Sequence, residues 1–244
     1  MFTKILGVGG FKLISNTGGF KLISNIGGFK SISNVSCKEN MNNESLSLLQ
    51  KQIFTGLLLS DGMLTKRNKG TKGKASFSLT QTCNPNSEYV LGHVELLFYT
   101  FNMFNNYINY PIPMTNWART KNKLYPYLYF NTITNNEFLE LYNLWYINNK
   151  KTVPINIDQD LTPIALAFWV MGDGGKCGSG FHFNTNAFGN EGANLLRNAL
   201  LKNFNLSTSL HSRNRIFIPS SEMNKFRDIV RIHILSGFLY KIDE

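Results

Sequence analysis

Leu166-Ala-Phe-Trp-Val-Met-Gly-Asp173-Gly174 is the stretch on which the fold turns. With Ile164 and Ala165 it makes an almost unbroken apolar run that stops at Asp-Gly. Thr162-Pro163 in front supplies a capping hydroxyl and then a ring-fixed φ at the first turn, so the run opens as a helix. A matching segment lies 112 residues earlier, Phe54-Thr-Gly-Leu-Leu-Leu-Ser-Asp61-Gly62. Its helix is expected to start at a cap on Asn43 and to run through Leu46, Leu49, Ile53, Phe54, Leu57 and Leu58 to the glycine that ends it. Helices this apolar belong in a core. If the two pack on each other, Asp61 and Asp173 emerge at the same end. Aspartate at a helix C-terminus opposes the macrodipole, so neither is there for the helix. One Asp-Gly alone reads better as a turn, and only the match between two sets chemistry level with that reading. The matched pair points to chemistry, since two hard oxygen ligands suit Mg²⁺ (or Mn²⁺).

The pattern repeats outward from these helices. Alternating stretches at Met63–Arg67 and 75–82 precede helical spacing over Tyr89, Val90, Val94, Leu97, Phe98 and Phe101. Strands are expected near 114–120 and 124–133, then a helix carrying Phe138, Leu141, Tyr142 and Trp145. After the second apolar helix come strands near 175–177 and 180–186, a helix with Leu195, Leu196, Ala199, Leu200 and Phe204, strands near 207–211 and 215–218, and a helix with Met223, Phe226 and Val230. Each half therefore reads αββαββα. This is an α+β, two-layer α/β architecture with antiparallel hairpins, unlike the βαβ alternation of a nucleotide-binding fold. Three parts are expected: residues 1–42, a first subdomain at 43–150 and a second at 151–244. The first is a nine-residue repeat around Gly9-Gly10-Phe11, Gly18-Gly19-Phe20 and Gly27-Gly28-Phe29, and its glycines favour a flexible leader.

The chain carries 25 Lys+Arg against 15 Asp+Glu, a net charge of +10, which fits a polyanionic partner such as nucleic acid. A solvated basic surface is the alternative, and the charge alone does not choose. No apolar run reaches the roughly 18–20 residues of a membrane helix. Cys37, Cys83 and Cys177 form no CxxC pair, and the four histidines form no HExxH. Gly172–Lys176 fails as a phosphate loop because Val170 occupies the first glycine position and Cys177 replaces Ser/Thr. His182-Phe-Asn is too short for a His-Asn-His nuclease. The 31 Asn and 18 Lys against 7 Ala indicate A/T-rich codons, as in an organellar genome. Residues 1–38 have lysines and no acids, which faintly resembles a transit peptide, and mitochondrial location is expected.

From about residue 45 to the C-terminus the two Asp-Gly segments, with Asn148-Asn-Lys-Lys-Thr-Val-Pro154 and Leu161-Thr-Pro, resemble the LAGLIDADG homing endonucleases of the two-motif, single-chain type. The resemblance implies two helices crossing at a pseudo-twofold interface, with small Gly56 and Ala167 allowing close approach. It implies a saddle of two four-stranded sheets over duplex DNA and strand breakage at Asp61 and Asp173, with Ser60 and Gly172 beside them in the metal site. Lys151 and Lys241 match the family's basic catalytic positions. Gln81 matches its polar water-positioning residue, with Asn186 or, one residue away, Thr185 as the counterpart. Thr55 and bulky Phe168 depart from the motif, and Phe168 makes the crossing asymmetric. DNA contacts are expected from Lys66, Arg67, Lys72, Lys74 and Ser78 in one hairpin and from Arg119, Lys121 and Lys123 in the next. Lys176, His182 and Asn184 belong to the third, and Arg213 and Arg215 to the fourth.

The function so implied is a monomeric, intron-encoded, Mg²⁺-dependent endonuclease that cuts a double-stranded DNA target. An RNA-binding intron maturase and a noncatalytic nucleic-acid-binding protein are the alternatives.

Overall fold

The computed structural model describes residues 4–8, 11–16, 19–24, 45–67, 74–83, 90–120 and 123–243. The chain divides into two units, Met1–Met41 and Asn42–Glu244. In the first, β1 (Lys4–Val8), β2 (Phe11–Asn16) and β3 (Gly19–Ser24) form an antiparallel sheet in that order. Phe11 stands opposite both Val8 and Ser24. The leader expected to be flexible thus holds paired strands, one in each of the first two repeats.

The second unit opens with α1 (Leu48–Leu58). Ser47 caps it: its Oγ accepts from the Gln50 amide while the Gln50 side chain accepts from the Ser47 N–H at 2.8 Å. This reciprocal capping box starts the helix a turn later than a cap on Asn43 would, and Asn43 lies outside the described residues. Then follow β4 (Met63–Arg67), β5 (Lys74–Thr82), α2 (Val90–Met103), β6 (Met114–Thr120), β7 (Lys123–Asn131) and α3 (Asn136–Trp145). A hairpin of β8 (Tyr146–Ile147) and β9 (Lys150–Lys151) and a short α4 (Ile157–Asp160) lead into the second half. That half comprises α5 (Pro163–Asp173), β10 (Gly174–Cys177), β11 (Gly180–Phe183), α6 (Gly189–Phe204), β12 (Ser209–His211), β13 (Arg215–Ile218) and α7 (Met223–Val230). A 3₁₀ segment, Ser236–Lys241, follows.

The two halves have equivalent sheets, ordered β4-β5-β7-β6 and β10-β11-β13-β12, antiparallel throughout. The α+β architecture and the doubled αββαββα order are as the sequence implies. Alternation along each strand sends one set of side chains under the helices and the other to the open face. Ala75, Phe77, Leu79, Leu128 and Phe130 are buried in the first half, and Phe181, Phe183, Ile216 and Ile218 in the second. Each motif helix delivers an aromatic into its own half's core: Phe54 packs on Phe77 at 4.8 Å and stacks on Phe138 at 5.8 Å, and Trp169 stacks on Phe183 at 3.9 Å.

Helices α1 and α5 pack directly on each other. A methyl group at Gly56 would collide with the Ala165 carbonyl oxygen and sit 2.6 Å from Phe168 Cβ; one at Gly172 would collide with Ser60. Gly56 and Phe168 occupy the same motif position, as do Ser60 and Gly172. Each contact layer therefore pairs a glycine with a larger residue, and Phe168 is accommodated because its counterpart has no side chain. Ala167 is buried, but the alanine facing Gly56 is Ala165. Among the described residues no helix is long and apolar enough to cross a membrane.

Candidate active site

The two aspartates meet where α1 and α5 end. Asp61 follows α1 in a turn closed by the Gly62 amide donating to the Leu57 carbonyl at 2.8 Å. Asp173 is the last residue of α5. A methyl group at Gly172, the residue before Asp173, would lie 3.8 Å from Asp61 Oδ2, so the Asp61 carboxylate borders the end of the opposite helix. The crowding is electrostatic too. Burial, then the Asp61 charge, push the Asp173 carboxyl up to about 6, against the pull of Lys151 and Lys241.

Both candidate lysines reach this place, and each serves one helix end. Lys151 Nζ donates to the carbonyls of Ser60 at 3.1 Å and Gly62 at 2.7 Å. Lys241 Nζ donates to those of Val170, Met171 and Gly172, the shortest at 2.7 Å. An α-helix leaves its last carbonyls unpaired, and an ammonium is a natural partner. Burial lowers both lysines to about 8, with both aspartate charges opposing. Two features the sequence reading missed put these lysines in place. Lys151 lies on the β8–β9 hairpin, whose turn residues Asn148 and Asn149 have φ of 51° and 62°. Asn-Asn tolerates that left-handed backbone and was a readable turn signal. Lys241 is delivered by the 3₁₀ segment docked on α2 of the first half. There the Glu95 carboxylate accepts from the Gly237 amide at 2.8 Å and the Ser236 hydroxyl at 3.0 Å, while Gly92 abuts Gly237.

Gln81 is buried and donates Nε2–H to Asp61 Oδ2 at 2.8 Å. Strand register identifies its counterpart. Two residues beyond each aspartate stand Met63 and Gly175, opposite Ser78 and His182. Three residues further along those partner strands are Gln81 and Thr185. Thr185, not Asn186, is therefore the equivalent position. Its buried hydroxyl donates to the Asn214 carbonyl, whereas Asn186 is exposed in a 3₁₀ turn. His93, on α2, also lies within reach of this centre: burial and Lys241 lower its pKa, against Asp61, and its ring stacks on Phe238 at 5.9 Å.

The donor set fits a divalent cation. Two carboxylates converge, and neither forms an ion pair with the lysines beside them, whose hydrogens go to carbonyls. Among the described residues no cluster of three His, Cys, Asp or Glu exists that could hold a metal without further ligands. Asp61 and Asp173 would bind it, with phosphate oxygens and water completing the shell. The Ser60 and Gly172 carbonyls lie beside them, already accepting from Lys151 and Lys241, each with a second lone pair free.

The register also sorts the expected DNA contacts. On the first sheet the open face carries Met63, Thr65, Arg67, Lys74, Ser76, Ser78, Thr80, Thr82, Lys123, Tyr125, Tyr127, Tyr129 and Asn131. Arg67, Lys74, Ser78 and Lys123 are thus together there. Lys66 alternates with them and reaches the Tyr142 ring of α3 on the other side, at 5.8 Å. Arg119, opposite Leu124, likewise shares the helix-side face with Trp117. Lys72 and Lys121 lie outside the described residues. On the second sheet His182, Asn184 and Arg215 are on the open face, with Phe217, Ser209 and His211. Lys176 alternates with them, on the side of Met223 and Arg227. Arg213 sits in the β12–β13 turn at φ 60°. Strand alternation was the signal for Lys66, Arg119 and Lys176, and also for the row of three tyrosines, which reading by charge passed over.

The family model for LAGLIDADG DNA endonucleases matches residues 51–226, from within α1 to within α7 and across both aspartates. The chain belongs to this family. This LAGLIDADG chain is 31% identical over 222 residues to the cytochrome b mRNA maturase bI2 of Saccharomyces cerevisiae, covering 84% of its own length and 50% of the relative's. It is 30% identical over 208 residues to the bI2 maturase of Debaryomyces hansenii, covering 82% and 76%. It is 23% identical over 221 residues to the DNA endonuclease I-ChuI of Chlamydomonas applanata, covering 82% and 97%. The chain thus spans half the length of the Saccharomyces relative. In fold it is similar to the homing endonuclease I-WcaI bound to its DNA recognition sequence, with a TM-score of 0.70, 22% identity and 82% and 88% of the two chains covered.

Proposed function

We propose that this chain is a site-specific endonuclease that hydrolyses both strands of a DNA duplex, acting as a monomer with Mg²⁺ or Mn²⁺. One observation carries the reading: two aspartates converge at the ends of crossing helices, between two equivalent sheets whose open faces hold cations, hydroxyls and aromatics. A duplex laid across the sheets would meet Arg67, Lys74, Ser78, the tyrosine row, His182 and Arg215, while Lys66, Arg119 and Lys176 project elsewhere. Base edges are read in the major groove by such side chains, and phosphates fix the register.

When bound, the cation polarises the scissile phosphate and acidifies a water. The residues do the rest. Asp61 and Asp173 supply the negative charge that holds it. Gln81 fixes the orientation of Asp61. Lys151 and Lys241 keep positive charge beside the site as charge develops on the phosphate. In-line cutting by one chain needs no partner subunit, since both motifs are present. An intron origin in an organellar genome is supported by the A/T-rich coding and by the cytochrome b mRNA maturases among the relatives.

The test is cleavage of a randomised-site duplex library with Mg²⁺, against an EDTA control. Recovery of one consensus cut on both strands is expected; no Mg²⁺-dependent product would overturn the reading. The likeness to two maturases supports a second activity, binding of host intron RNA to assist splicing. It is separable, because RNA binding does not require the carboxylates: Asp61→Asn would abolish cutting and leave splicing assistance intact. A purely noncatalytic role leaves the aspartate pair, with its raised Asp173 pKa, unexplained.

A further inference from the structure

The two aspartates are equivalent in the chain but not in their support. Asp61 has its Oδ2 held by Gln81 at 2.8 Å. No side chain among the described residues donates to the Asp173 carboxylate. The register position that should supply a donor is Thr185, whose short side chain is buried and turned to the Asn214 carbonyl, 29 residues away in sequence. Asn214 and its neighbour Arg213 have left-handed backbones, φ 56° and 60°, so this turn presents a carbonyl that the hydroxyl satisfies. Glutamine in the first half and threonine in the second thus do different work. One holds a candidate metal-binding carboxylate; the other ties the end of β11 to the β12–β13 connection.

We propose that Gln81 is a positioning residue acting through Asp61, that Thr185 plays no such part for Asp173, and that the two DNA strands are therefore cut at unequal rates, the faster cut being the one that depends on Gln81. This rests on the endonuclease reading above. A donor behind a metal-binding carboxylate fixes which oxygen faces the ion and in which rotamer, and removing such a group typically costs about 10–100-fold in metal affinity or activity. Asp173 has no such donor among the described residues to set its orientation before a cation would bind.

Single-turnover cleavage of a duplex selected from the library, with a different fluorophore on each strand, tests this directly. The wild-type chain is expected to cut one strand about 10-fold faster or more, with a nicked intermediate accumulating. Gln81→Ala should slow the faster strand by about 10–100-fold and bring the two rates together. Thr185→Ser, which keeps the hydroxyl and the fold, should change neither strand more than about two-fold, within the variation a neutral contact gives. A readout independent of cleavage comes from the metal-free protein: the Gln81 side-chain amide protons should exchange slowly and shift on Asp61→Asn, with no amide responding to Asp173→Asn. Equal strand rates in the wild type, or equal slowing by Thr185→Ser and Gln81→Ala, would overturn the rate asymmetry. A freely exchanging Gln81 amide would overturn the positioning role. A chain that binds the duplex but cuts neither strand overturns the endonuclease reading and the strand asymmetry with it, while the amide measurement still decides whether Gln81 holds Asp61.

Discussion

The first half of the second unit and its repeat share the αββαββα order, yet spend their polar residues differently. The first sheet has long strands and an open face lined with tyrosines and hydroxyls, its cations at the rim. The second has short strands, and its open face carries His182, Asn184, Arg215 and His211 close to the helix ends. Around the aspartates, the first half contributes an oriented carboxylate and the second a half-buried, less supported one. Duplication sets the topology, through the hydrophobic alternation both copies keep. Each copy's own side chains then set what its half of a site can do.

The largest effect should come from the aspartates. Asp61→Asn and Asp173→Asn are each expected to abolish double-strand cleavage with DNA affinity within a few-fold, and active cleavage by either would remove it from the metal site. Their stabilities should differ. The Asp173 carboxyl, ordinarily near 3.8, is raised to about 6 in the fold. The folded state therefore holds its proton more tightly between those values, and its stabilising contribution, full below about 3.8, is lost as pH rises through 6. Asp173→Asn should accordingly melt higher than wild type at pH 7, and thermal scans should show that gain fading as pH falls from about 6 to about 4.

Next in size is the helix crossing. Gly56→Ala puts a methyl against a backbone carbonyl that cannot move aside, so a loss of about 1–3 kcal/mol or more is expected in urea unfolding. Gly172→Ala collides with the Ser60 side chain and no backbone carbonyl, and Ser60→Gly should restore it. If both alanines cost the same and neither is rescued, the small-against-large layering is not what sets the helix spacing.

The lysines come third. Lys151→Met and Lys241→Met should each slow cleavage by about 100-fold, well beyond any change in DNA affinity. Both ammoniums titrate near 8, so the wild-type rate should fall as pH rises through that value. A rate that stays flat to pH 10 would mean that their charge is not used.

The smallest effects separate the two faces of the sheets. Arg215→Ala, on the open face, should weaken target binding by about 1–3 kcal/mol in a fluorescence titration. Arg119→Ala, on the helix side, should change it less than two-fold, as a surface charge away from the interface would. Reversal of that order would place the duplex on the wrong side of the first sheet.

Much of this is legible in the sequence itself. The apolar helices with their terminal aspartates, the hairpins between them and the matched lysines follow from periodicity, capping and motif. What was not legible depended on three-dimensional register. A one-residue shift decides whether Asn186 or Thr185 is equivalent to Gln81, and it takes the strand pairings of Met63 with Ser78 and Gly175 with His182 to choose between them. Charge groups Lys66, Arg119 and Lys176 with the other expected DNA contacts, whereas the two-residue period of the strands sets them on the opposite face of the sheets from Arg67, Lys123 and His182. The docking of Ser236–Lys241 on α2 joins residues 142 positions apart through Glu95 and Gly237, which no local pattern announces.

That last attachment has a consequence for how the protein fails. The Lys241 ammonium is held at the α5 terminus by a single 3₁₀ segment, anchored through the Glu95 carboxylate, a glycine–glycine contact and the buried Phe238 and Ile242. A short segment at the end of the chain can open at a free energy below that of global unfolding. Warming should therefore disarm the molecule before it melts: cutting is lost reversibly while the helices and sheets, followed by circular dichroism, are still intact.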